Sequence, residues 1–285
     1  MTTITRAATV GEWQTDRLDL DAYLERIGYI GERAADAGTL RDLHRAHADT
    51  IAFENLDVVL GRPIELDLDS VQDKLVRRLR GGYCFEHNLL FGAALERLGY
   101  AVTRLAARVQ PAGPGPRTHM LLRVAADGRE WLADVGFGAS LLEPLALEAT
   151  TVCQGSWTYR LTPGDPEAWL LQAGRPEGWA DLYGFTLEPQ RRIDYDVYNH
   201  YTATHPRSPF AGQIVALRTT PDVKHALRGR LLTATRPSGA TEEQQLSIDE
   251  TIDVLCDLFA IRLDATEIAL LRSSSVRAVR PADGR

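Results

Sequence analysis

Up to about residue 100 the apolar positions recur at helical spacing. In the segments 18–29 (LDLDAYLERIGY), 39–53 (TLRDLHRAHADTIAF) and 69–79 (DSVQDKLVRRL), aliphatic side chains return every three or four positions, which places them on one face of a helix. A fourth run, Leu90, Phe91, Ala94, Leu95 and Leu98, starts just after residue 84 and meets a helix stop at Gly99. From about residue 101 the pattern becomes extended. AVTRLAARV (101–109), SWTYRLTP (156–163), AWLLQAG (168–174) and DLYGFTLEP (181–189) read as strands, with PAGPGPR (111–117) as a loop. Near the end, Ser247 with Glu250 and Asp264 with Glu267 have the spacing of capping boxes, and Ile252, Leu255, Cys256 and Phe259 give the first of these helices an apolar face. Helices, then strands, then a mixed end predict an α+β fold, and 285 residues suffice for two or three domains.

One strand pair carries more than fold information. In THMLLRVAADGREWLADVGFG, residues 118–138, two apolar runs flank Asp127 and Gly128, a strong hairpin turn. With those two residues as the loop, His119 faces Gly136 and Leu121 faces Asp134. Side chains alternate along a strand, so His119 and Leu121 share a face. His119 and Asp134 then sit diagonally on that face, with backbones about 7–8 Å apart and side chains able to meet. A one-residue bulge would send them to opposite faces.

A nucleophile for this pair is found in RGGYCFEHN, residues 80–88. Cys84 follows two glycines and falls in the first turn of the fourth helix, where free backbone N–H groups and the positive end of the dipole favour a thiolate. Gly81 and Gly82 permit a tight turn and a close approach of backbone or ligand, and Arg80 adds positive charge. A free cysteine is more often a small core residue. A histidine oriented by an aspartate changes that balance, because the aspartate fixes the tautomer and leaves the other ring nitrogen for the sulfur. Cys84, His119 and Asp134 thus form a candidate catalytic triad.

Composition narrows the partners. The 32 basic and 39 acidic side chains give a net charge of −7, which excludes a broad attraction to nucleic acid. Three cysteines, Cys84, Cys153 and Cys256, do not make a disulfide framework; Cys256 falls on an apolar helix face and Cys153 has no evident role. The stretch MTTITRAATVGEW lacks the apolar run of a signal peptide and no window approaches a membrane span, so the expectation is a protein without membrane attachment in a reducing cytoplasm. His44 and His47, with Cys84 and His87 as a second short pair, have spacings that zinc uses. We expect no metal, because His44 and His47 lie on a helix rich in polar residues, where solvated histidine is the ordinary case, and zinc would occupy the nucleophile.

These residues together resemble the arylamine N-acetyltransferases. RGGYCFE resembles the family's nucleophile motif, the His119 strand its histidine segment and DVGFG (134–138) the segment that carries its aspartate; IAFENLDVVLGRPIELD (51–67) is similar to its FENL region and HPRSPF (205–210) to its serine and phenylalanine segment. The landmarks run in family order from about residue 51 to 210. The resemblance implies an α+β protein of three domains: an N-terminal helical bundle (1–100) with the nucleophile, a central β-barrel (101–205) with His119 and Asp134, and a C-terminal α/β lid (206–285), around a cysteine-protease-like core. It implies that Cys84 accepts an acetyl group from acetyl-CoA, activated by His119 and Asp134, and passes it to an arylamine or hydrazine by a ping-pong mechanism, with acetyl-CoA as co-substrate and no tightly bound cofactor. It implies further that Glu54 pairs with Arg80 around the nucleophile and that Thr118, Gly136, Phe137, Gly138 and Phe210 lie near the donor or acceptor pocket, the small glycines leaving room for a pantetheine arm. The Cys84 N–H is one candidate oxyanion donor. Arg80, Arg108, Arg123, Lys224 and Arg228 are candidates for the CoA phosphates. Two other activities use the same triad: thiol hydrolysis, and amide synthesis of the ansamycin type, which differs in its acyl donor.

Overall fold

In the computed structural model residues 11–138, 141–164 and 168–273 are described. The stretch read against a signal peptide begins outside them, and the expected domain assignment begins and ends outside them. Helices α1 (Leu20–Arg26), α2 (Ala37–Thr50), α3 (Leu56–Val59), α4 (Leu68–Gln72) and α5 (Cys84–Arg97) build the first part, with a short strand β1 (Phe53–Glu54) between α2 and α3. Asp19 and Asp36 cap α1 and α2, accepting from the N–H groups of Ala22 at 3.1 Å and Thr39 at 2.7 Å. Three expected helices end before their pattern does, the one over 18–29 at Arg26. The one over 39–53 stops at Thr50 because Phe53 and Glu54 join a sheet. The one over 69–79 is α4 followed by a π-helical turn at Asp73–Arg77, after which Leu79 turns the chain with φ 54°.

Strands β2 (Ala101–Val109), β3 (His119–Ala126), β4 (Arg129–Ala133), β5 (Leu145–Ala146), β6 (Thr150–Gln154), β7 (Trp157–Gly164), β8 (Ala168–Arg175) and β9 (Gly178–Thr186) form one antiparallel sheet. Its order is β5-β4-β3-β2-β9-β8-β7-β6, a near-closed barrel whose edge strands β5 and β6 are not paired with each other. Leu105, Leu121, Trp157, Tyr159, Leu171 and Tyr183 fill its interior. The opposite parity of β3, Met120, Leu122 and Val124, packs instead with Phe85, Leu90, Phe91 and Leu95 of α5. Strand β3 is therefore buried on both faces, and each fully buried leucine or phenylalanine contributes about 1.5–3 kcal/mol. This two-sided burial holds the strand carrying His119 against the helix carrying Cys84.

After the barrel comes α6 (Arg192–Thr204), which the apolar pattern did not reveal: it buries Tyr195 and Thr202 but exposes Ile193 and Val197, so its hydrophobicity does not mark one face. Strands β10 (Val215–Thr219), β11 (Lys224–Arg228), β12 (Leu231–Thr235) and β13 (Thr241–Gln245) then form a second antiparallel sheet, whose first strand is β1, with Phe53 opposite Leu217 and Glu54 opposite Ala216. Helices α7 (Ile248–Asp257) and α8 (Ala265–Ser273) share a core with this sheet through Leu56, Ile214, Ala216, Ile252, Leu255, Phe259 and Leu271. Both expected capping boxes close reciprocally, at 2.7 and 3.2 Å for Ser247 with Glu250 and at 3.0 and 2.8 Å for Asp264 with Glu267. Cys256 sits half-buried beside this core. Among the described residues no helix is long and apolar enough to cross a membrane.

Candidate active site

Cys84 is the first residue of α5, and the turn before it is fixed by a crossing strand. The Glu54 N–H donates to the Gly82 carbonyl at 2.7 Å, and a side chain at Gly81 would place its Cβ 2.1 Å from the Ala52 carbonyl oxygen. Only glycine permits that approach, so what comes close to this turn is the chain's own FENL strand. The helix start is held from within by the Tyr83 N–H, which donates to Glu86 Oε2 at 3.0 Å, while Lys74 Nζ holds Glu86 Oε1 at 2.7 Å. Cys84 is 4% exposed, and its Sγ lies 3.5 Å from the Thr118 carbonyl oxygen, next to His119.

The β3–β4 ladder runs from Ala126 opposite Arg129 to Leu122 opposite Ala133, with no bulge. Asp134 is thereby carried just past the strand end on the face of His119. The His119 Nε2–H donates to Asp134 Oδ2 at 2.7 Å, which leaves Nδ1 for the sulfur. Tyr183 Oη donates to the same Oδ2 at 2.8 Å, and Oδ1 accepts from Asn88 Nδ2 and the Gly136 N–H, each at 3.0 Å. Burial opposes a charge on both partners. Against it, Asp134's charge and hydrogen bond, together with Cys84, raise His119 to about 10, and His119, Asn88 and Tyr183 hold Asp134 below the ordinary carboxylate range. The buried pair is thus an imidazolium and a carboxylate at neutral pH.

Asn88 and Tyr183 were not singled out from the sequence. Asn88 lies one turn beyond Cys84, and it binds three parts of the β3–β4 hairpin: the Met120 carbonyl at 2.7 Å, Asp134, and the Val135 N–H at 3.3 Å. Its signal was its i+4 spacing from the cysteine. Tyr183 reaches the site because β2 pairs with both β3 and β9, with Ala107 opposite His119 and Phe185. Such a link between distant strands leaves no local trace.

The remaining expected site residues have definite places. The Phe137 ring lies edge-on to His119 at 5.0 Å between centroids, and Phe210 packs against Phe53 and Tyr83 at 5.7 and 6.0 Å. A Cβ on Gly136 would fall 2.5 Å from Asn88 Nδ2 and 2.8 Å from the Cys84 carbonyl oxygen; one on Gly138 would fall 2.7 Å from Phe53 Cβ. The space that a side chain would take at either glycine is occupied by protein. Arg80 donates to Glu54 at 3.0 and 2.8 Å and to Glu267 of α8 at 2.5 Å, and is 1% exposed. Its guanidinium is spent on these carboxylates, so it is withdrawn as a phosphate ligand. Lys224 is buried with its Nζ over the Trp157 ring at 4.1 Å, Arg108 and Arg123 are half-buried, and Arg228 is exposed. His44 and His47 contradict the expectation of solvated histidines: both are fully buried, and their ring nitrogens are engaged in hydrogen bonds. Helix α2 turns this face inward, so the polar residues around them describe its other side.

Comparison with known proteins gives the same direction as the geometry. A family model described as N-acetyltransferase matches residues 36–268. An arylamine N-acetyltransferase of Mycolicibacterium smegmatis is 44% identical over 258 residues, covering 86% of this chain and 93% of that one. Among solved structures, the Nocardia farcinica arylamine N-acetyltransferase superimposes with a TM-score of 0.87 at 44% identity, covering 93% of this chain and 96% of that one. The Mycobacterium marinum enzyme in complex with CoA gives 0.82 at 38% identity, covering 89% and 98%. The chain therefore belongs to the arylamine N-acetyltransferase family and is an acyltransferase.

Proposed function

We propose that this protein moves an acetyl group from acetyl-CoA to aromatic amines or hydrazines through an acetyl-Cys84 intermediate. The observation that supports this most directly is the 2.7 Å contact of His119 with a fully buried Asp134 beside a cysteine at a helix N-terminus. In the first half-reaction the Cys84 sulfur attacks the acetyl carbonyl as a thiolate paired with the His119 imidazolium, the carbon–sulfur bond to CoA breaks, and the leaving CoA thiolate takes the proton of the imidazolium. In the second, the amine nitrogen attacks the thioester and gives a proton to His119, and the bond to Cys84 breaks to release the amide. Asp134 orients His119, and the Cys84 N–H contributes to the oxyanion site. Thr118, Gly136, Phe137, Gly138 and Phe210 border the reacting groups, with the Glu54–Arg80 pair supporting them. The division of labour follows residues 1–100, 101–205 and 206–285, with nothing tightly bound and acetyl-CoA held only as substrate.

Brief treatment with acetyl-CoA followed by peptide mapping tests this. One acetyl group is expected on the Cys84 peptide, with one equivalent of CoA released; further release requires an arylamine or hydrazine. Cys84→Ala is expected to lose at least about 10³-fold in activity. Steady CoA release without an amine would indicate a thiol hydrolase, and no acetyl transfer from acetyl-CoA would favour a different acyl donor, as in the amide synthases.

A further inference from the structure

The pair His44 and His47 on α2 has no part in the chemistry above, yet His44 lies against the triad. Its Nδ1 is 3.1 Å from the Leu142 carbonyl oxygen, which can only accept, so Nδ1 carries the proton. Nε2 is then a lone-pair acceptor, and it takes the Asp134 N–H at 3.2 Å. The imidazole is fully buried and edge-on to Phe91 of α5 at 5.7 Å. Burial, offset in part by Leu142 and Asp134, brings its pKa to about 4, so it is neutral at working pH. One ring thus ties α2 to the main chain of Asp134 and to the loop at Leu142, while His119, Tyr183, Asn88 and Gly136 engage the side chain.

We propose that His44 is a positioning residue: its unprotonated Nε2 anchors the Asp134 backbone, and through it the carboxylate that orients His119. This rests on the reading of Cys84, His119 and Asp134 as the reacting triad. Asp134 lies beyond the last ladder pair of β4, so its main chain is not held by the sheet. A supporting hydrogen bond from outside the sheet is what a residue so placed requires, and loss of such supports typically costs 10–100-fold in function.

The two nitrogens can be separated. Asn at this position matches Nδ1 and keeps the donor to Leu142 while leaving the Asp134 N–H unpaired; Gln matches Nε2 and keeps an acceptor for Asp134. We expect His44→Asn to slow single-turnover acetylation of Cys84 by about 10- to 100-fold, with KM for acetyl-CoA within about twofold of the parent, and His44→Gln to restore most of the rate. Tyr100→Phe is the control for a lost brace on the chain just before α2. It removes hydrogen bonds to the Ala34 and Asp36 carbonyls and should lower Tm while leaving the acetylation rate of folded enzyme intact. Equal rates for the Asn and Gln variants at equal folded fraction would overturn the inference. Failure of the unmutated enzyme to acetylate Cys84 would instead overturn the reading beneath it.

Discussion

Asp134 is a carboxylate with no exposed side-chain surface, and four donors occupy its two oxygens. Its charge is what keeps His119 protonated to about pH 10. The sign of the linkage follows: a histidine whose folded pKa lies above its unfolded value contributes stability that is complete below about 6.5 and is lost as pH rises toward about 10. Asp134→Asn removes the charge and leaves burial to lower the histidine. The urea midpoint of the parent is therefore expected to fall between about pH 7 and about pH 9.5 more steeply than that of Asp134→Asn. Equal slopes would show that the imidazolium is not held by this carboxylate. Cys84, His119 and Asp134 were visible in the sequence because strand parity and a helix terminus are local properties. Tyr183 was not, since its place beside Asp134 depends on which strands become neighbours.

At the scale of elements, the site is the meeting of one helix start with one strand end. Gly136 follows β4 and packs on the Cys84 main chain of α5, with space only for a hydrogen on its Cα. Gly136→Ala must push the strand end from the helix or displace Asn88. It is expected to cost about 1–3 kcal/mol in urea unfolding and to slow Cys84 acetylation by about 10-fold or more, the fall in rate exceeding what the unfolded fraction explains. A variant with unchanged acetylation would show that this contact does not set the distance between nucleophile and base. The hairpin register and both capping boxes were legible because turn and cap residues act on their neighbours. The end of α2 was not: nothing local distinguishes Phe53 as a helix residue from Phe53 as a strand residue until Leu217 arrives opposite it. The same holds for His44 and His47, whose burial depends on what α2 packs against.

Across the whole molecule, β1 joins regions that the chain order separates. It pairs with β10 on one edge and bridges Gly82 beside the nucleophile turn, while Asn55 just after it binds the Phe210 and Gln213 carbonyls at 2.9 Å each and the Val215 N–H at 2.7 Å. Arg80 adds a buried ionic link from the same turn to α8. The helical part and the second sheet should accordingly unfold together. Far-ultraviolet dichroism and alkylation of Cys84 are expected to report coincident urea transitions, and exposure of the thiol well before loss of secondary structure would contradict this. The basic residues show a further property of the whole. Of the 32, only Lys74 and Lys224 are lysines; one is locked between Asp57 and Glu86, and the other lies beneath Trp157. All the rest are arginines, whose guanidinium groups stay protonated and do not act as nucleophiles. A protein proposed to carry a reactive thioester thus draws nearly all of its positive charge from groups that cannot take the acyl group, and leaves that role to the amines it meets.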